Sequence, residues 1–131
     1  MNTDAPHAAA ASPVLTADQI EARLRAELPH WRLAEGAIAR EVRTSGWKAT
    51  LMVVNTVGHL AEAAWHHPDL VVSFDRVGIR LSTHDAGGIT EKDLALASMV
   101  ERVLMWRPGA EPGAALDGTP DEPRWRYISY D

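Results

Sequence analysis

The chain has no cysteine, which rules out a disulfide framework and a thiolate nucleophile and is what a reducing compartment would favour. Basic residues are scarce: 13 Lys and Arg stand against 18 Asp and Glu, for a net charge of -5. No Lys/Arg cluster interrupts that balance, so nucleic acid is not an expected ligand. No apolar run approaches the ~20 residues that a membrane span needs. The first twelve residues are rich in alanine but have no basic stretch and no continuous apolar core, so they do not read as a secretory signal. These absences point to a cytoplasmic protein without a membrane partner. With 131 residues, 46% of them hydrophobic, the chain can close a single core and reads as one domain.

Residues 1–14 contain alanines and two prolines without periodicity and are expected to be a disordered leader. Thr16 and Gln19 make a capping box, and Ile20, Leu24 and Leu28 share one face until Pro29 stops this first helix. Between 31 and 44 apolar residues alternate with charges around Glu35-Gly36, which predicts a β-hairpin. After Gly46, the positions Trp47, Leu51, Val54, Gly58, Ala61 and Trp65 step by three and four, predicting a helix over 47–65 with these residues as its buried stripe. Pro68 forces the chain out of helix. The sets Leu70/Val72/Phe74 and Val77/Ile79/Leu81 each fall on one face of a second hairpin, with Arg80, Ser82 and His84 on the other face. Thr90 then caps a third helix, with Glu91 and Asp93 in its first turn. The broad apolar face of that helix suits the sheet and a further surface such as a partner subunit. From 108 to 123 prolines and glycines make an irregular linker that leads to Arg124-Trp125-Arg126-Tyr127-Ile128-Ser129-Tyr130.

Three histidines carry the chemical signal, because imidazole can donate or accept a proton near neutral pH. Glu62 precedes His66 by four residues, a spacing that lets a helical carboxylate orient a ring N–H. His67 sits where Pro68 ends the helix, His84 leaves the non-core side of its strand, and Asp93 can reach the same cleft from the third helix. Each residue also has a plain reading: a surface histidine, a capping acid, a solvated helix charge. Adjacent histidines suggest zinc, but neighbours on a helix point ~100° apart, and the chain has neither HExxH nor a Cys/His ligand spacing. No metal is therefore assigned. Gly87-Gly88 reads as a loop before a helix, since no phosphate fingerprint surrounds it.

Taken together the positions are specific: Glu62, three residues, His66-His67-Pro68, five residues, the aromatic Phe74, nine residues, His84, eight residues, Asp93. This pattern resembles the signature of the pterin-4a-carbinolamine dehydratases, and weaker similarity extends over residues 15–105. The resemblance implies an α+β fold in the order α-β-β-α-β-β-α, a two-layer domain over residues 15–107 with helices on one face of a four-stranded antiparallel sheet. Residues 108–131 then form a separate C-terminal segment. It implies sheets that join across a homodimer and helices that can build a homotetramer. It also implies a reaction, dehydration of 4a-hydroxytetrahydropterin to quinonoid dihydropterin, that needs neither metal nor cofactor.

By that resemblance His67 and His84 are the acid–base pair, with His66 the third histidine of the catalytic group. His66 and Asp93 hold the pterin ring, Glu62 orients the pair, and the Thr83 backbone and Pro68 lie at the ring. The chain departs from the family at Trp65, where Asp or Asn is common, and at Ala39, Val42 and Thr44, where larger rings are usual. It also carries the added aromatic segment, a composition favoured at protein interfaces, which offers a place for a protein client. These departures point to an alternative within the same resemblance: a catalytically silent assembly factor for ribulose bisphosphate carboxylase/oxygenase, associated with α-carboxysomes.

Overall fold

In the computed structural model, residues 12–131 are described. Most of the expected leader, residues 1–14, therefore lies outside the described residues. Helix α1, Ala17–Glu27, starts where Thr16 accepts a bond from the Gln19 amide and the Gln19 side chain answers to the Thr16 amide. Its Ile20 and Leu24 are buried, as is Leu28 just beyond it. Strands β1, Arg32–Ala34, and β2, Ala37–Arg43, form the first hairpin. Helix α2, Trp47–Ala64, leads to the second, built from β3, Asp69–Ser73, and β4, Arg76–Leu81. Helix α3, Glu91–Leu104, follows a short 3-10 turn at His84–Ala86.

All strand pairs are antiparallel, in the order β1-β2-β4-β3. The register opposes Ile38 to Leu81 and Val42 to Val77, so the alternate residues of β2 and β4 meet on one face. That face and the buried sides of all three helices make one apolar cluster, a two-layer α+β domain with its helices on one face of the sheet. Among the described residues no helix is long and apolar enough to cross a membrane.

Two local expectations need correction. The buried face of α2 comprises Ala49, Thr50, Val53, Val57 and Ala61, whereas Trp47, Leu51, Gly58 and Trp65 of the expected stripe are exposed. The helix carries two adjacent apolar rows, and a polar residue marks the buried one. Thr50 is fully buried because its hydroxyl reaches the Phe74 carbonyl at 2.9 Å and Thr44 Oγ1 at 2.7 Å. Hydropathy cannot reveal this, since only the fold supplies the partners. Phe74, expected to share a strand face with Leu70 and Val72, lies in the turn after β3 and is 67% exposed.

The C-terminal segment docks along the far end of β2. The Ser129 amide donates to the Arg43 carbonyl at 2.9 Å, the Ser45 amide donates to the Tyr127 carbonyl at 3.0 Å, and Ile128 between them is buried. The Arg107 guanidinium stacks over the Tyr130 ring at 4.5 Å, and burial pushes the Tyr130 phenol above its ordinary pKa. Arg40, on the core face of β2, is itself buried and pairs with Glu101 of α3, which also accepts a bond from Trp31 Nε1 at 2.8 Å. The Asp131 carboxylate approaches Arg40 at 3.7 Å, so sheet, helix and chain end share one buried charge.

Truncating Glu101 to Ala strands the buried guanidinium and is expected to cost about 3–5 kcal/mol in urea unfolding, while an Arg40→Leu/Glu101→Leu pair recovers most of it. Arg23 holds the Glu91 carboxyl below the usual carboxylate range through a side-chain hydrogen bond. This contribution is present above the unfolded-state carboxylate pKa and lost as pH falls through the depressed folded value. Both side chains are substantially exposed, so Glu91→Gln is expected to cost no more than about 0.2–1 kcal/mol at pH 7, a difference that vanishes in acid unfolding curves.

Candidate active site

Helix α2 stops at Ala64 because Trp65 turns into the left-handed region, with φ 51 and ψ 46. In this closure the Trp65 amide donates to the Glu62 carbonyl and the His66 amide to the Ala61 carbonyl, and Pro68 bars any return to helix. The cap separates the paired histidines. The His66 side chain turns inward and is 14% exposed, whereas that of His67 faces out at 49%.

Asp93 lies beneath His66 and is completely buried. Its Oδ1 meets His66 Nε2 at 2.5 Å, and its Oδ2 accepts from the Thr83 hydroxyl at 2.8 Å and from the Thr90 amide at 2.9 Å. The carboxylate thus completes the capping box of α3 while tying the end of α2 to the loop that carries His84. Thr83 and Thr90 also join through their hydroxyls at 2.8 Å. His84 opens the 3-10 turn and stays exposed.

The i, i+4 spacing suggested that Glu62 would orient His66. Instead its Oε1 sits 2.6 Å from His67 Nε2, because the left-handed cap rotates His66 away from the helix face and swings His67 back over it. The Thr83 amide bonds to the Gly88 carbonyl, and the Thr83 carbonyl accepts from Ala86 and Gly87, so its backbone is engaged within the turn. Asp93, expected to hold the ring, has no exposed surface and can act on a ligand only through His66.

An open cleft of about 910 Å³ lies between the end of α2, the start of α3 and the 3-10 turn. Trp65, His66, His67, Thr83 and His84 line it; Glu62, Pro68 and Asp93 are not among its lining residues. Lys92, Ser82 and Asp85 also face the cleft, and Leu60, Leu96 and Met99 give it an apolar side. Sequence reasoning assigned none of these to the site. Ser82 was legible as a non-core strand residue, but a lone lysine before Asp93 carries no motif. Among the described residues, no group of three or more His, Cys, Asp or Glu side chains has a metal-holding arrangement. The cleft therefore presents imidazoles with and without carboxylate partners beside an apolar wall, an arrangement suited to moving protons on a bound polar ring.

Residues 13–103 match the family model described as pterin 4 alpha carbinolamine dehydratase. A protein of Aquifex aeolicus named "Putative pterin-4-alpha-carbinolamine dehydratase" is 43% identical over 90 residues, covering 69% of this chain and 90% of that protein. One of the same name from Acidobacterium capsulatum is 46% identical over 90 residues, covering 69% and 97%. The crystal structure of a transcriptional coactivator/pterin dehydratase from Brucella melitensis superimposes with a TM-score of 0.63 at 26% identity, covering 69% of this chain and 97% of that one.

Replacing Asp93 with Ala leaves the Thr90 amide, the Thr83 hydroxyl and His66 without their acceptor. Urea unfolding is expected to register a loss of about 2–4 kcal/mol, with Asp93→Asn recovering part of it.

Proposed function

The chain belongs to the pterin 4 alpha carbinolamine dehydratase family, and from that premise we propose that it removes water from a 4a-hydroxytetrahydropterin to give the quinonoid dihydropterin. The observation that carries this reading is the pair of exposed imidazoles, His67 and His84, on one cleft whose third imidazole is anchored from below by Asp93. The chemistry is a proton relay. The hydroxyl at C4a takes a proton and leaves as water, the N5 lone pair forms the C4a=N5 bond, and the N5 proton passes to a base. One acid and one base suffice, no redox step occurs, and the proton count closes.

In this assignment His67 and His84 divide the acid and base roles. Glu62 fixes the His67 ring through Nε2, which leaves Nδ1 for the ligand. His66 has Nε2 engaged by Asp93 and offers its other nitrogen to the pterin. Pro68 holds the exit of the histidine pair extended, and Thr83 braces Asp93. The reading includes a homodimer or homotetramer. The edge strand β3, with Val71 62% exposed and Phe74 67% exposed in the turn after it, supports an edge-to-edge partner.

A second reading, the assembly factor for ribulose bisphosphate carboxylase/oxygenase in α-carboxysomes, is favoured by one observation. Residues 104–131 lie outside the family match and expose Trp106 and Trp125 by 62% and 51%, a surface suited to a protein client.

Stopped-flow dehydration of freshly generated 4a-hydroxytetrahydropterin tests the first reading. Turnover by the wild type that falls about 10²–10⁴-fold in His67→Ala and in His84→Ala is the expected result. A wild type no faster than buffer defeats it. The client reading then predicts that added protein raises the yield of assembled carboxylase and that loss of Trp106 and Trp125 abolishes the gain.

A further inference from the structure

Trp65 occupies a backbone conformation that penalises its side chain. With φ 51 and ψ 46 it closes α2 in the left-handed region, where helices usually place Gly or Asn and where a bulky residue is strained. Burial does not repay this, since Trp65 is 56% exposed. Its ring instead meets the His67 imidazole edge to face, with centroids 5.1 Å apart and planes at 82°. The other hold on that imidazole is the Glu62 carboxylate, and both members of this pair are largely exposed, at 49% and 68%. An exposed pair of this kind is a weak restraint on its own.

We propose that Trp65 is a positioning residue, whose indole, together with Glu62, locks the His67 ring so that its free nitrogen faces the cleft. The role rests on the dehydratase reading, because His67 is the group it serves. The geometry divides the work: Glu62 fixes one nitrogen, and the indole blocks rotation of the ring about that contact. A proton-transfer group that drifts from its alignment loses rate steeply, so the backbone strain at Trp65 is offset by order at a reacting atom.

The test uses the full chain with Trp65→Asn, which tolerates the left-handed backbone, and Trp65→Gly as a second removal; Trp65→Phe keeps an aromatic edge. Three readouts apply: thermal unfolding, the His67 ring resonances in NMR of the unliganded protein, and turnover. In Trp65→Asn the melting temperature is expected to hold or rise by a few degrees as strain is relieved. The His67 ring signals are expected to move toward those of an unrestrained histidine, and kcat to fall about 10-fold to 100-fold with KM nearly unchanged. Trp65→Phe restores most of both. His67 resonances that stay put in Trp65→Asn and Trp65→Gly overturn the proposal, as does turnover equal to or above wild type. If the wild type lacks turnover, the dehydratase reading fails and the catalytic positioning role with it, and His67 signals that still respond then support only a contact between the indole and the imidazole.

Discussion

One buried carboxylate holds the cleft end of this domain together. Asp93 has no contact with solvent, yet it bonds three groups from three segments: His66 past the end of α2, Thr83 before the 3-10 turn, and the Thr90 amide at the start of α3. A carboxylate without such partners would not be tolerated in a core, so the segments must assemble around it. The cleft walls are therefore placed by the same bonds that make the core acceptable. At the opposite end Arg40 plays the matching part, drawing Glu101 and Asp131 to one buried guanidinium.

The end of α2 gives that scaffold one wall of its cleft. Had the helix continued past Ala64, His66 and His67 would have stepped around it by ~100° each, with Glu62 below His66. The left-handed turn at Trp65 redistributes them, sending one imidazole down to Asp93 and the other out to Glu62. Two histidines adjacent in sequence thereby have different surroundings: one is nearly buried against a buried acid, the other is half exposed beside an exposed one.

The helix caps at Thr16 and Thr90 and both hairpins were legible from residue spacing, because they depend on neighbours a few positions away, while the one-face packing followed from the family resemblance. The buried row of α2 was not, because its marker is Thr50, a polar residue whose acceptance depends on the Phe74 carbonyl 24 residues away. Arg40 is similar: it shares the strand phase of Ile38 and Val42, and only Glu101 and the chain end make its charge acceptable on that buried face. Asp85 reaches the cleft by the path of the loop, which has no sequence periodicity to betray it, and Lys92 does so from the first turn of α3.

The sequence by itself determined the family and the element order, since motif spacing and capping are local properties of a chain. Tertiary structure alone decided which carboxylate serves which histidine. Glu62 pairs with His67 and Asp93 with His66, because a single left-handed residue at the end of α2 rotates the pair, and because the energy of a buried charge depends on partners brought in from distant segments.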